Sequence, residues 1–261
     1  MTKFFKNTGT SLLVLTAALF AASLATSSAQ NTTETFNISG FTEIELSTSA
    51  DLKITIGDEY SVVLTGDARR IENIELDVSG DELEISSNRR FSFFGRNEKG
   101  YLNIAITMPN IESMEINGSG DAEIMGVDND ELFLNVNGSG DLYVTGKSKK
   151  VDIEINGSGD IEMDEVTGND VDIEVNGSGN VEFNGGTCDR LEIEVDGSGD
   201  IDARDLVCRD VDIDVSGSGN SRVHATERLT FDSNGSGKVD VFGKPKEVVD
   251  NTKRDSKIRI R

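Results

Sequence analysis

The sequence predicts an all-β protein, a right-handed parallel β-solenoid with rungs of about 20 residues. The first observation is a repeat, because the tripeptide Gly-Ser-Gly occurs seven times at steps of 18 to 20 residues. The second is the alternation of apolar and acidic residues around each tripeptide, as in 151–155 (VDIEI), which is the period of a half-buried strand. A unit this short cannot bury an apolar face alone, so its copies must stack.

Each repeat is predicted to contain a strand, a glycine-rich corner, a shorter strand and a second turn. Equivalent strands should pair in parallel at a spacing of about 4.8 Å, so that inward Val, Ile and Leu side chains form continuous columns. The glycines suit a tight corner, and the small serine leaves room for the next one. The seven tripeptides begin at Gly118, Gly138, Gly157, Gly177, Gly197, Gly217 and Gly235.

Residues 1–29 are predicted to be a secretory signal peptide. Lys3 and Lys6 form a positive segment, an apolar run covers 11–25, and small residues precede the expected cleavage after Ala29. The alternative is an N-terminal anchor helix, for which the apolar run is short. An exported protein of this kind would work in the periplasm, on the outer-membrane surface or as a secreted protein.

The remainder is divided into three predicted segments. Residues 30–110 are interpreted as degenerate rungs, with corner-like sequences at 47–51 and 79–81 and a loop insertion at 89–99. Residues 111–237 form the regular repeats. Residues 238–261 are predicted to hold the last rung and a basic cap, because they contain eight basic and four acidic residues; charged edges discourage end-to-end pairing. A basic docking tail is the alternative.

The charge balance limits the classes of partner. The chain has 25 Lys and Arg against 48 Asp and Glu, a formal net charge of −23. Such a surface repels nucleic acid and anionic lipid and suits cations, basic partners or simple solubility. No apolar stretch of spanning length follows the signal peptide, so no membrane span is predicted in the mature chain.

Several segments together resemble a known family. They are the opening at 41–46 (FTEIEL), the segment 54–58 (ITIGD), the junction 106–109 (ITMP) and the repeated Asn-Gly-Ser-Gly-Asp corners. In this combination the chain resembles the GIN domain family, described as auto-transporter adhesin heads. The resemblance implies a β-solenoid of the kind commonly exported by Bacteroidetes-type bacteria, without an established activity, and it transfers no catalytic residues.

The residue after each corner is predicted to form a polar column. Its first members, Asp121, Asp141 and Asp160, would lie about 5 Å apart and should bind cations, share protons or point into solvent. Calcium is therefore the one candidate cofactor, although the nonapeptide calcium motif is not matched and a solvated turn aspartate is the alternative. The residues before the corners, beginning with Asn117 and Asn137, are interpreted as turn caps or an amide ladder.

Two columns of outward strand residues are also acidic. One is Asp152, Asp172, Glu192 and Asp212; the other is Glu154, Glu174, Glu194 and Asp214. They predict a dense anionic face, which could engage cationic ligands, and a solvated face is the usual meaning of such a pattern.

Cys188 and Cys208 are 20 residues apart and occupy equivalent places in adjacent rungs. Stacking brings their Cα atoms within the range of a disulfide, and an exported protein meets oxidising conditions. A disulfide is predicted, and a stacked pair of free thiols is the alternative.

The insertion contains a basic aromatic cluster, which is unusual on an acidic body and is a candidate contact patch. The alternative is that its phenylalanines fill the solenoid core. The patch consists of Arg89, Arg90, Phe91, Phe93, Phe94 and Arg96.

The sequence predicts a non-enzymatic interaction module, adhesin-like, with an unknown protein or glycan of the cell envelope as partner. The single histidine, His224, has no Ser or Cys nucleophile beside it in the sequence, and there is no Trp or phosphate-binding loop. Two alternatives remain, a glycan-active enzyme on a β-helix scaffold and a self-associating envelope protein. The oligomeric state is left open.

Overall fold

The computed structural model describes residues 31–87, 101–252 and 257–261. Nearly all of the regular structure in these residues is β, and one short helix lies near the N-terminal end. In chain order the elements are β1 (Asn31–Phe36), β2 (Glu43–Ser47), β3 (Asp51–Ile56), β4 (Ser61–Asp67), α1 (Ala68–Glu72), β5 (Ile74–Ser79), β6 (Glu82–Ser87), β7 (Leu102–Met108), β8 (Ser113–Ile116), β9 (Ala122–Val136), β10 (Leu142–Ile155), β11 (Ile161–Asp164), β12 (Val166–Thr167), β13 (Asp170–Gly177), β14 (Val181–Phe183), β15 (Gly186–Gly197), β16 (Ile201–Val215), β17 (Ser221–Ser233), β18 (Val239–Phe242), β19 (Glu247–Asp250) and β20 (Ile258–Ile260).

The strands wind into a β-solenoid of about seven turns, which confirms the predicted fold class. Strands before each corner form one sheet, the leading face, in which Ile153, Ile173 and Ile193 are in register. Strands after each corner form a second sheet, the trailing face, in which Leu142 is in register with Ile161. The long strands bend between faces and also pair along a third side. The 20-residue step of the sequence is thus the step of the parallel ladder.

Inward side chains form the predicted apolar columns. Val171, Leu191 and Leu229 are fully buried, and their outward neighbours are polar. Full burial of a side chain of this size contributes about 1.5 to 3 kcal/mol. The core therefore runs along the inside of the stack and leaves both faces to polar residues.

The N-terminal end departs from the prediction of degenerate rungs over 30–110. The corner expected at 47–51 is present, because β2 pairs in parallel with β8 and β3 with β9 on either side of it. The prediction of a corner at 79–81 is wrong, since β5 and β6 pair antiparallel as a hairpin, with Gly80 at φ +67°. Only two residues separate these strands, and a two-residue loop containing glycine favours a hairpin.

Antiparallel strands close this end of the stack. β6 and β7 pair with the outer edges of β2 and β3, so the first complete rung lies inside the stack. β4 then pairs antiparallel with β7, and β1 pairs antiparallel with β4. Such pairing ends the series of parallel rungs and covers edges that would otherwise expose unpaired backbone groups. The insertion at 89–99 lies outside the described residues.

At the other end, β18, β19 and β20 continue the two faces beyond the last Gly-Ser-Gly corner. Basic side chains hold this end together. Lys257 donates to the backbone carbonyl of Gly235, and Arg261 forms an ion pair with Asp240 at 2.6 Å. Residues 253–256 of the predicted basic cap lie outside the described residues.

A fully buried serine interrupts one of the apolar columns. Ser221 is in register with Ile201 and Val239, is 1% exposed, and its hydroxyl has no hydrogen-bond partner among the described residues. Replacing Ser221 with valine should therefore raise the free energy of unfolding by about 1 to 2 kcal/mol, because an unsatisfied buried hydroxyl is removed. Urea unfolding followed by circular dichroism measures the change.

Ser148 provides the matched control for that substitution. It is also buried, but its hydroxyl donates to the carbonyl of Lys150 at 2.7 Å. Ser148→Val should therefore destabilise by about 1 kcal/mol or more, since it leaves a carbonyl without its partner. Equal effects at the two positions would contradict the assignment of Ser221 as unsatisfied.

Candidate functional site: the corners and the groove beside them

The Gly-Ser-Gly corners stack in direct backbone contact. The amide of Ser139 donates to the carbonyl of Gly118 at 3.0 Å, and the amide of Ser158 donates to Gly138 at 2.9 Å. A Cβ atom added at Gly138 would overlap the carbonyl oxygen of Gly118. Gly138 is therefore required by the approach of the neighbouring rung and not by its own backbone conformation, since its φ is not positive.

The residues before the corners form the amide ladder. The side-chain amide of Asn137 donates to the side-chain oxygen of Asn117 at 3.0 Å, Asn156 donates to Asn137 at 2.9 Å, and Asn176 donates to Asn156 at 3.2 Å. Each side-chain amide also donates a hydrogen bond to a glutamate of the leading face, as Asn156 does to Glu154. This predicted ladder is confirmed from Asn117 to Asn176, and its role is to join rungs.

The aspartates after the corners form a second ladder, which sequence reasoning did not foresee. The amide of Asp141 donates to the carboxylate of Asp121 at 3.0 Å, and the amide of Asp160 donates to Asp141 at 2.9 Å. The amide of Asn180 continues the pattern to Asp160 at 2.8 Å. One oxygen of each carboxylate thus pairs with the backbone of the next rung, and asparagines between aspartates reduce the repulsion expected of stacked charges.

This geometry bears on the calcium prediction for Asp121, Asp141 and Asp160. Calcium takes six to eight oxygen ligands, about 2.3 to 2.6 Å away. Within the part of the chain that the structure describes, no group of three or more His, Cys, Asp or Glu is arranged to hold a metal ion. Because one oxygen of each carboxylate already accepts a backbone hydrogen bond, the geometry favours the solvated turn aspartate over a calcium site, and a stability measurement decides between the two.

At an ionic strength held constant and high with NaCl, we expect calcium in excess to leave the melting temperature of a chain comprising residues 30–261 unchanged relative to chelator. A ligand that binds only the folded state raises its stability by mass action, so a bound calcium would be visible in this measurement. A rise of several degrees, lost in the variant Asp141→Asn, would instead make the column a metal site.

A groove of about 590 Å³ lies beside these aspartates on the trailing face. It crosses β7, β3, β9, β10 and β11, which are consecutive strands of that sheet. Short side chains next to the corner line one part, and longer side chains two residues further along line another. Among the lining residues are Asn103, Asp51, Asp121, Lys53, Glu123 and Tyr143.

Two contacts organise the groove. Lys53 and Glu123, on neighbouring strands, form an ion pair at 3.0 Å. The hydroxyl of Tyr143 donates to Asp164, and this bond, with burial and nearby carboxylates, raises the pKa of Tyr143 to about 12. The phenol therefore stays protonated at neutral pH and its ring is held in place. A single outward tyrosine carries no signal in the sequence, so Tyr143 was missed.

The leading face carries the predicted acidic columns in register. Glu154 is opposite Glu174, followed by Glu194 and Asp214 on the next two strands. Burial and then neighbouring carboxylates raise the pKa of Asp172, Glu194 and Asp214. The face is thus a surface of mutually repelling carboxylates, as the sequence predicted.

A third column at the border of this face alternates in the sign of its charges, and the repeat spacing of the sequence contains this pattern. Opposite charges in register attract, whereas like charges repel, so this column favours the observed strand register. Its members in order are Glu131, Lys150, Asp170, Arg190, Asp210, Arg228 and Glu247.

The acidic columns predict a pH dependence of stability. A carboxyl whose pKa is raised in the folded state binds protons more tightly there than in the unfolded chain, so stability should increase as pH falls from 7.5 toward about 5. The lowered pKa values of Asp164, Asp202 and Asp240, each beside a hydrogen-bond donor, act in the opposite direction, and their contribution is lost at lower pH. Melting temperature against pH should therefore show a maximum in the acidic range.

Added salt and one substitution test whether repulsion between the carboxylates of the leading face causes this pH dependence. Added NaCl at pH 7.5 should raise the melting temperature by screening the repulsion. Asp172→Asn should do the same and flatten the pH dependence, whereas Asp205→Asn, at an exposed position outside both columns, should not. A melting temperature that falls steadily from pH 7.5 to 5 would contradict the prediction.

The structure places the remaining sequence candidates as follows. Cys188 and Cys208 are in register on adjacent rungs, with Cα atoms 4.5 Å apart and the sulfur atoms at bonding distance. His224 is half-buried on β17. The patch at Arg89, Arg90, Phe91, Phe93, Phe94 and Arg96 lies outside the described residues. In the described ranges, no helix is long and apolar enough to cross a membrane.

Comparison with solved structures gives the same fold. A putative lipid binding protein from Parabacteroides distasonis ATCC 8503 is 25% identical, with a TM-score of 0.76, over 88% of this chain and 96% of the other. A putative adhesin from the same organism is 17% identical, with a TM-score of 0.80, over 89% and 98%. A putative adhesin from Parabacteroides merdae ATCC 43184 is 16% identical, with a TM-score of 0.77, over 89% and 96%. The likeness to the two adhesins shows the fold alone.

The family assignment comes from the sequence. No curated protein matches the chain. The family model described as "Putative auto-transporter adhesin, head GIN domain" matches residues 40–245, which is most of the chain and includes every Gly-Ser-Gly corner. The resemblance noted from the sequence is thereby confirmed, and the chain belongs to the GIN domain family.

Proposed function

We propose that the protein is an exported, non-enzymatic interaction module of the cell envelope or surface, adhesin-like in its role. The observation that carries the proposal is the arrangement of the polar side chains. They repeat from rung to rung along open faces, and the groove crosses five strands of one face. An open repetitive surface suits an extended partner, which contacts several rungs at once.

A glycan-active enzyme is the alternative from another class. Paired carboxylates about 5 Å apart are the arrangement of retaining glycosidases, but stacking produces this spacing on every rung. In the corner column, Asp121 and Asp141 each accept a backbone hydrogen bond from the next rung. This structural use of the carboxylates supports an interaction module.

One similar protein, from Parabacteroides distasonis and 25% identical, is described as a putative lipid binding protein. In this chain the groove is lined by Asp51, Asp121 and Glu123 together with further carboxylates. These repel the anionic head groups of acidic lipids. The negative charge of the groove therefore favours binding of a neutral or cationic ligand over an anionic one.

Export can be tested with the full chain and a chain lacking residues 1–29, each carrying a C-terminal tag, in a Bacteroidetes-type host. We expect only the full chain to leave the cytoplasm, shortened by the signal peptide. Protease added to intact cells would then degrade a surface protein and spare a periplasmic one. Retention of the full chain in the cytoplasm would contradict the proposal.

Interaction and catalysis can be separated in one assay on the mature protein. Immobilised protein is offered intact bacterial cells, extracellular matrix proteins and polysaccharides, with immobilised albumin as an acidic control. We expect specific retention of one of these classes without new reducing ends in the polysaccharides. Release of reducing ends would establish the enzyme, and retention of nothing would leave the interaction module unsupported.

A further inference from the structure

The outward side chains of β4 and β7, at the N-terminal end of the trailing face, carry no charge. On β4 and β7 the outward side chains alternate with buried apolar ones and pair as Ser61 with Thr107, Val63 with Ala105, and Thr65 with Asn103. We call these six residues the neutral sheet. Charged residues make up 28% of the chain, yet none lies among the six. The neutral sheet is thus a small uncharged area on a body of net charge −23.

The neutral sheet is continuous with the groove. Asn103 belongs to both, and on its other side it is in register with Asp51 of β3. From there the groove passes the ion pair of Lys53 with Glu123 and reaches Tyr143. A ligand that lies across β4 and β7 can thus extend over β3, β9 and β10 without leaving the same face.

The chemistry of this surface limits the class of ligand that can bind to it. Hydroxyl groups of Ser and Thr and the amide of Asn103 both donate and accept hydrogen bonds, and they do so without charge. The ring of Tyr143 is partly exposed and fixed by its bond to Asp164, so it offers an apolar face of defined orientation. Neutral sugars match both properties, because they combine hydroxyl groups with apolar ring faces.

Two other kinds of ligand fit less well. Anionic polymers would meet Asp51, Asp121 and Glu123 at the groove and be repelled. A second copy of the chain needs about 800 Å² on each partner for a stable interface. The six residues of the neutral sheet, three rows across two strands, provide roughly 200 to 300 Å² at sheet spacings, which by itself is too little for a stable dimer.

We propose that a neutral polysaccharide binds across the neutral sheet and the adjoining groove, with Tyr143 contacting a sugar ring. The inference rests on the proposed function, because it names the ligand class of that interaction surface. The bound chain would run across the strands, roughly along the solenoid axis, and would contact one rung after another.

The test measures binding of the mature protein to neutral polysaccharides by affinity electrophoresis and calorimetry. The probes are an α-glucan, a β-glucan, a mannan and an N-acetylglucosamine oligomer, with polygalacturonate as the anionic control. Two variants alter the surface, Tyr143→Ala in the groove and Thr55→Glu next to Thr107. Thr187→Glu is the matched control, since Thr55 and Thr187 are both exposed strand threonines and Thr187 lies on the third side.

We expect at least one neutral probe to bind, with affinity reduced tenfold or more by Tyr143→Ala and by Thr55→Glu and unchanged by Thr187→Glu. No binding of any neutral probe would overturn the inference. Equal loss in Thr187→Glu, preference for polygalacturonate, or a concentration-dependent dimer abolished by Thr55→Glu would do the same. If cells or matrix proteins are still retained in the earlier assay, the interaction module stands and only its glycan ligand fails.

Discussion

Replacing Gly138 with alanine is expected to lower the free energy of unfolding by about 4 kcal/mol, a loss at the upper end for single substitutions. The reason is steric, because the added Cβ atom would overlap the carbonyl oxygen of Gly118 on the neighbouring rung. The oxygen is a backbone atom and the Cβ is bonded directly to the backbone of the stacked rung, so neither can move without separating the rungs. Urea unfolding of wild type and variant, monitored by circular dichroism, measures the loss.

Two further substitutions isolate the cause. Ser139→Ala changes the exposed residue between the two glycines, whose contribution to the stack is its backbone amide, and it should shift stability by less than about 0.5 kcal/mol. Gly80→Ala tests conformational strain without a clash, because Gly80 has a φ of +67° and open space around it. It should cost about 1 to 2 kcal/mol. A loss at Gly138 no larger than the loss at Gly80 would contradict close stacking of the corners.

Removing the predicted disulfide is expected to cost about 3 kcal/mol. Cys188 and Cys208 are 20 residues apart, and a cross-link that closes a loop of this length reduces the entropy of the unfolded chain by about that amount. The double variant with alanine at both positions should therefore unfold at a lower urea concentration than the oxidised protein. Both side chains are buried, so part of any loss comes from packing.

Reduction of the wild-type protein separates the covalent contribution from packing. Reductant should lower the urea midpoint of the wild type and leave that of the double variant unchanged. A thiol assay on the denatured oxidised protein should detect no free thiol. Two free thiols per chain, or a midpoint insensitive to reductant, would instead establish the stacked pair of reduced cysteines.

The regular part of the fold could be predicted because its information is local and repeated. Period-two runs such as 171–175 (VDIEV) specify a half-buried strand. The step of 20 residues then assigns each residue its partner on the next rung, so the columns that contain Ile173, Glu174 and Asn176 followed directly. The register of Cys188 with Cys208 came from the same arithmetic.

The aspartate ladder shows what the repeat spacing could not specify. Spacing placed Asp121, Asp141 and Asp160 in one column, but it could not orient the backbone amides of the following rung toward the carboxylates. The sequence therefore left cation binding, proton sharing and solvation as alternatives. Which atom meets a carboxylate depends on the path of two stacked corners, and only the tertiary structure contains both.

By itself the sequence determined the solenoid class, its rung length, the acidic leading face and the family. Each of these follows from composition or from a pattern repeated at a constant step. The tertiary structure decided the antiparallel closure by β1, β4 and β5, the hairpin at Gly80, and the groove that joins Asn103 to Tyr143. These features depend on which distant strands become neighbours, and alternation within one strand specifies its faces but not the identity or direction of its partners.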